Sequence, residues 1–374
     1  MRIAINARFT GYTNNEGYAR FTRGLMAPML RDFPRDEFVF LFDQRNAVPF
    51  STISNAISMG AGPAARHPLL WKYWYDYVLP RLLKKSKAEI LFSPDGFCSL
   101  NSRVPQVLAI HDLAFLHYPE GISRTYLEYY KYYTPKFIRA AKQIVTVSEF
   151  SRDDIIQHYP EAGKKITVIY NAADESFKPV AENEKEICKE KLTGGREFFL
   201  YAGSIHPRKN LITLLKGFSW FKKRHMTNMK LVLAGRMAWK SDVFKKQLET
   251  YKYRDDIVLA GYLPDNELKT VMSSAYALVY PSYWEGFGLP LLEGMKSGVP
   301  LIAANNSALP EIAGSAAFYA DPGDAEAWGR GMGLMYKDET YRNKLIQNGY
   351  ERATFFSWEK SSQVLHEVMM KAVS

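Results

Sequence analysis

The chain has 374 residues, 47% of them hydrophobic, 24% charged and 14% aromatic, with a net charge of +10. That profile excludes a disordered, collagen-like or disulfide-stapled chain and leaves room for two cores. Cys98 and Cys188 are the only cysteines, and two make no disulfide framework and no zinc site; they fit a reducing, cytoplasmic setting. No run of about 18 apolar residues occurs, so no spanning helix is expected. The first residues lack a charged segment followed by an apolar one, so no signal peptide is expected. The charge is uneven: residues 1–170 carry 22 Lys and Arg against 15 Asp and Glu, and residues 171–374 carry 27 against 24. A basic first half suits anionic lipid, nucleic acid or a diphosphate-linked substrate; it also suits a protein that is simply basic.

In chain order, short apolar runs alternate with helical patterns, the mark of a parallel sheet wrapped by helices. The first half offers strands at 2–6, 38–42, 89–92, 106–110 and 144–147. In such folds ligands bind beyond the carboxyl ends of the strands, so the loops there are the places to look for chemistry. After the first strand comes Tyr12-Thr-Asn-Asn-Glu-Gly17, with a helix expected from about Ala19. Gly17 lets a phosphate approach the amides of a helix start, although a lone glycine in such a loop is as well explained by the turn itself. The stretch 69–85 is aromatic, basic and helical with a break at Pro80; it reads either as a core helix or as a surface for a membrane interface or lipid-linked acceptor. The tyrosine-rich run 126–133 carries the same two readings. His111 and Asp112 directly follow the strand at 106–110, where a histidine can donate to a phosphate or sugar hydroxyl or move a proton, or is merely a loop histidine.

Residues 167–195 hold a strand-like segment, then NAADESFKP, then a charged helix, and form the expected domain junction. Domains are expected at 1–170 and 171–355. Residues 356–374 form a closing helix capped by Ser357, whose docking side the spacing leaves open. No internal repeat appears. The second half offers strands at 198–202, 230–234, 257–260, 277–280 and 300–303. After the first of these comes Gly203-Ser204-Ile-His-Pro-Arg208-Lys209-Asn210, then a helix over 211–221. Glycine, two cations and a helix start make an anion site, with a solvated basic turn as the alternative. After 277–280 comes Glu285-Gly-Phe287-Gly288-Leu289-Pro290-Leu-Leu-Glu293, where Pro290 marks a helix start and Glu293 falls one turn in. Backbone at Gly288 and Leu289 suits a phosphate, and the two carboxylates suit ribose and sugar hydroxyls.

With these loops in view, the sequence resembles the retaining glycosyltransferases of family 4, of the GT-B type. The signature is Glu285 and Glu293 eight positions apart within EGFGLPLLE. GSIHPRKN, AGR, GYLPDNEL, SALPEIAG and ADPGD accompany it in order, and HDL at 111–113 and VSEFS at 147–151 match in the first half. The resemblance is tightest over 197–325 and weakest over 45–105. The glycine loop reads NNEGY, where many members carry paired glycines.

The resemblance implies two Rossmann-like domains facing a central cleft, with an acceptor-binding first domain and a donor-binding second one. It also implies transfer of mannose or another hexose from a nucleotide-diphosphate sugar, GDP-mannose or a UDP-sugar, to a glycan or lipid-linked acceptor in cell-surface polysaccharide synthesis. Arg208 and Lys209 would neutralise the diphosphate and Glu293 would bind ribose. Glu285 would lie beside the anomeric carbon, and Phe287 to Leu289 would bind sugar and phosphate. The backbone near Gly261 and Tyr262 would read the base, and His111 and Gly17 would complete the site. Gly203, Ser204 and Asp112 fall in the same loops. No metal and no cofactor is expected, since D-x-D is absent and the Arg-Lys pair takes the metal's place. Expected partners are the nucleotide sugar, the acceptor and, in addition, an anionic membrane surface at the inner face of the membrane. Rival readings are an epimerase or phosphorylase on the same scaffold, or a nucleic-acid binder, for which no motif is present.

Overall fold

The structure is a computed structural model and describes residues 1–11, 17–44, 53–65, 67–237 and 242–374. Residues 12–16 of the first glycine loop lie outside that set. The chain divides into two compact units: residues 1–171 with 357–374, and residues 172–356.

Unit 1 is built on a seven-stranded sheet in the order β3-β2-β1-β4-β5-β6-β7. The strands are β1 (Arg2–Asn6), β2 (Glu37–Phe42), β3 (Ala56–Gly60), β4 (Ile90–Ser93), β5 (Gln106–Ala109), β6 (Gln143–Thr146) and β7 (Ile166–Val168). Every pairing is parallel. β4 and β5 are buried along their whole length, and β1 everywhere but Arg2, which is why their sequences lack polar alternation. β3 and β7 are the half-exposed edges. No strand is legible at β3, where AISMG carries little apolar signal, and β7 falls in the expected junction.

The stretch 69–85 is one helical run made of Pro68–Tyr73, a π-helical turn Trp74–Val78 and Leu79–Ser86. Pro80 sits in the first turn of the last piece, so the run continues through the wider turn without ending at it. The run has a buried face and an exposed one, and the buried face bears out the core-helix reading. Trp71, Trp74, Tyr75, Leu79 and Leu83 join the unit 1 core, while Leu69, Tyr73 and Tyr77 are exposed.

The closing helix, Trp358–Val373, belongs to unit 1. Ser357 caps it, accepting from Glu359 and Lys360 amides. A side chain at Gly24 would collide with the Trp358 indole, so glycine there lets the closing helix dock against helix Gly17–Asp32. Ser361 Oγ donates to the Tyr170 carbonyl at 2.6 Å, and His366 stacks on Phe33 and bonds Asp36 at 2.7 Å.

Unit 2 carries six parallel strands in the order β10-β9-β8-β11-β12-β13. They are β8 (Phe198–Ala202), β9 (Lys230–Ala234), β10 (Ile257–Gly261), β11 (Ala277–Tyr280), β12 (Leu301–Ala304) and β13 (Ala317–Ala320). The edge strand β13 was not legible in the sequence. The helix expected over 211–221 runs one turn longer, Leu211–His225, and the helix expected from Ala19 starts at Gly17. Both sheets follow the doubly wound order, in which the direction of strand addition reverses beside the first strand. That reversal falls between β1 and β4 in unit 1 and between β8 and β11 in unit 2.

Candidate active site

The unit 2 reversal point is where the sequence placed its strongest motifs. Tyr201 near the end of β8 and Tyr280 at the end of β11 lie with rings 6.2 Å apart and nearly parallel. The loop after β8 turns through Pro207–Lys209 and leads into helix Leu211–His225. The loop after β11 runs through Glu285 to helix Leu289–Lys296, with Pro290 in its first turn. Gly288 precedes that helix at φ 97°, in the left-handed region, and a β-carbon there would press within 2.6 Å of Leu309 Cδ2.

These two loops are pinned together. Tyr283 N–H donates to the Arg208 carbonyl at 2.9 Å. Asn210, left-handed at φ 60°, donates its amide to the carbonyls of Pro281 at 3.1 Å and Pro322 at 2.6 Å. Asn306 donates to the Tyr283 carbonyl at 2.7 Å, and Ser307 Oγ accepts from the Glu285 amide at 3.2 Å. Asn210, Tyr280, Asn306 and Ser307 were missed as site-forming residues. Asn210 alone carried a signal, since asparagine after a short basic turn suits the left-handed backbone.

The pinning brings three charges into contact. Glu285 is paired by Lys209, whose Nζ also donates to the Tyr280 hydroxyl at 3.0 Å. Arg208 lies 3.4 Å from the other Glu285 oxygen and donates to the Trp284 carbonyl. Lys209 and Glu285 are nearly buried, at 8% and 7% exposure. Burial alone would raise the Glu285 carboxyl, but Lys209 and Arg208 outweigh it and hold the group down at about 2. Burial, then the Glu285 charge, holds the Tyr280 phenol far above its ordinary range, so it stays protonated. The site is therefore a fixed carboxylate between two cations, at a sheet's carboxyl edge beside a helix start.

The remaining unit 2 candidates take different places. Glu293 is buried within helix Leu289–Lys296, and Phe287 is buried just before it, with Leu289 half-exposed. Gly203 directly follows β8 and Ser204 is exposed beside it, its carbonyl accepting from Tyr201 at 2.9 Å. Tyr262, just past β10, is half-exposed, with the Arg236 guanidinium 4.3 Å above its ring.

In unit 1, Gly17 opens helix Gly17–Asp32, and nothing described lies within 4 Å of a β-carbon added there. His111 packs edge-on against Tyr18 and Phe21 at 4.9 and 4.6 Å. Its Nε2 lies 2.9 Å from the Pro94 carbonyl. A carbonyl only accepts, so that nitrogen carries the proton and Nδ1 of the neutral ring is an acceptor. Burial lowers the His111 pKa, and the Pro94 carbonyl and Asp112 charge only partly oppose it, so the neutral form dominates near pH 7. Asp112 Oδ1 accepts from the Ala114 amide at 2.9 Å, a local turn contact that serves the loop.

A family description, "Glycosyl transferases group 1", matches residues 182–352, and "Glycosyltransferase Family 4" matches residues 39–177. O-antigen chain mannosyltransferase B of Escherichia coli is 31% identical over 254 residues, covering 68% of this chain and 67% of that protein. The chain belongs to the group 1 glycosyltransferases. A second relative of this glycosyltransferase, O-antigen chain mannosyltransferase RfbU of Salmonella typhimurium, is 28% identical over 284 residues, covering 74% and 73%. Among solved structures, Anabaena HepE in complex with UDP and glucose superposes with a TM-score of 0.76 at 15% identity, covering 99% of this chain and all of that one. At that identity the superposition speaks for the GT-B fold.

Proposed function

We propose that this glycosyltransferase moves a mannosyl unit, or another hexose, from a nucleoside-diphosphate sugar to a glycan or lipid-linked acceptor in cell-surface polysaccharide synthesis, with retention and without a metal. The observation that carries the reading is the pair of cations at the unit 2 reversal point, Arg208 and Lys209, preorganised on Glu285. Charge develops on the departing diphosphate as the glycosidic bond breaks, and fixed cations stabilise it without reorganising. The Escherichia coli and Salmonella relatives named as O-antigen mannosyltransferases support the sugar and the setting, and the Anabaena neighbour, a complex with UDP and glucose, supports a nucleotide-sugar donor.

The donor's diphosphate would share Arg208 and Lys209 with Glu285. Held ionised, Glu285 cannot act as an acid; it would accept from sugar hydroxyls and stabilise positive charge at the anomeric carbon. Glu293 would take the ribose, Tyr262 and Gly261 the base, and the backbone at Phe287, Gly288 and Leu289, with Gly203 and Ser204, the sugar and phosphates. Within unit 1 itself, Gly17 would let a phosphate approach a helix start, and neutral His111 would accept a hydroxyl through Nδ1. An anionic inner membrane surface would take the exposed Leu69, Tyr73, Tyr77 and Tyr132 with the neighbouring lysines Lys72 and Lys136.

The test is transfer from GDP-mannose and from UDP-hexoses to a lipid-linked acceptor in excess chelator, with the product linkage read by NMR. Transfer from one donor with retained anomeric configuration is expected. Inversion, or loss of transfer that metal alone restores, would overturn the corresponding part.

A further inference from the structure

Away from both reversal points, unit 1 gathers two imidazoles on one carboxylate. His117 ends the short helix Ala114–His117, which follows His111 and Asp112 directly. Asp154 and His158 lie one turn apart on helix Glu149–His158. His117 Nε2 sits 2.9 and 3.1 Å from the two Asp154 oxygens. His158 Nδ1 sits 3.3 Å from Asp154 Oδ1 and 2.9 Å from the Asp154 carbonyl. The rings meet edge to face at 5.3 Å, and one ligand atom from each residue falls within 4.8 Å of the others.

Two neutral nitrogens and one carboxylate oxygen are the donor set of a borderline divalent ion. Bonds of about 2.0–2.2 Å put adjacent ligand atoms roughly 3.4 Å apart, close to the separations from Asp154 to both rings. One N–H divided between two oxygens is a poor hydrogen bond, and a cation would replace it with direct bonds. Each imidazole keeps its single proton by shifting it to the other ring nitrogen, so neither must become charged. Asp154 is nearly buried, while the histidine side chains are 25% and 33% exposed, which leaves the outer face to water. The nearest cation on the same helix, Arg152, is drawn off by Glu149 and Asp153.

We infer that His117, Asp154 and His158 bind a divalent transition-metal ion, zinc being the ion whose preferences the set fits. The ion fastens the helix behind the His111 loop to the helix behind β6, so it positions unit 1 and takes no part in sugar transfer. The inference is independent of the donor reading, because zinc retention is measured with no sugar nucleotide present.

The experiment uses tag-free full-length protein, stripped with chelator and titrated with zinc against a chromophoric competitor, followed by elemental analysis. One zinc per chain is expected, with no uptake of magnesium at the same concentration. His117→Gln and His158→Gln should each weaken zinc binding by at least on the order of 10-fold, and His225→Gln, at a histidine of unit 2, should bind as the parent does. Zinc should raise the melting temperature of the parent and not of His158→Gln. Sub-stoichiometric uptake by the parent, or parent-like binding by both histidine variants, overturns the inference. Asp154→Asn is a further arm; should it fail to fold, the two partly exposed histidines still decide the outcome.

Discussion

The two units build the same strand reversal and fill it in opposite ways. In unit 1 the crevice between β1 and β4 is sealed by a buried network. Asn6 donates to the Tyr75 hydroxyl at 2.7 Å and to Asp95 at 3.1 Å, Tyr75 donates to Asp95 at 2.5 Å, and Arg8 lies 3.5 Å from Asp95. Arg8 and Asp95 are each 1% exposed, and Arg8 is ringed by Phe9, Trp71, Tyr75 and Phe97. In unit 2 the equivalent crevice holds Lys209 and Glu285 with Arg208 at 21% side-chain exposure. One ion pair is locked among aromatics and serves the fold; the other keeps a cation within reach of water and can exchange its anion. The same topology therefore yields a structural joint in one unit and a candidate binding site in the other.

The largest expected effect breaks the unit 1 joint. Asp95→Ala strands the Arg8 guanidinium in an apolar cage and should cost about 3–5 kcal/mol of stability in urea unfolding. A loss under about 1 kcal/mol would show that this pair is no more structural than its counterpart. Next is the unit 2 pair. Arg208→Ala and Lys209→Ala should each lower kcat on the order of 10²–10³-fold, more than they raise KM, with folding checked by circular dichroism. Arg208→Lys should also lose rate, since an ammonium cannot reproduce the guanidinium fork. Near-parental kcat in both alanine variants would reduce the pair to a basic turn.

A pH series sharpens the contrast. The Glu285 pKa lies below its ordinary 4.5, at about 2, so the unfolded chain binds the proton more readily. Its contribution to stability is thus complete above about pH 4.5 and lost as pH falls toward 2. Between roughly pH 5 and 9, kcat/KM should show no ionisation that Glu285→Gln removes. The smallest effect concerns the exposed face of unit 1. Leu69→Glu should weaken sedimentation with anionic vesicles by roughly 1–2 kcal/mol and leave transfer to a soluble acceptor unchanged. Equal binding by parent and variant would return that face to ordinary surface.

Local chemistry is what a sequence writes down. Buried parallel strands such as Phe198–Ala202 and Leu301–Ala304 are continuous apolar runs, and Pro290 and Ser357 punctuate helix starts, so two Rossmann-like folds and the motif loops were legible. The edge strands β3 and β13 were not, although the other two edges, β7 and β10, were; at β3 and β13 the neighbouring strand decides pairing more than the residues do. The dual character of 69–85 was legible only as a choice, since periodicity gives faces but not what each face meets.

The sequence by itself determined which loops carry glycine, cation and carboxylate, because turn, cap and charge preferences act over a few residues. Only the tertiary structure decided that Arg208 and Lys209, 76 or more residues before Glu285, close on that carboxylate. It alone decided that Trp358 returns to Gly24, and that His117 meets Asp154 across 37 residues. Such meetings follow from the packing of whole helices onto whole sheets, and no local preference encodes a distance that long.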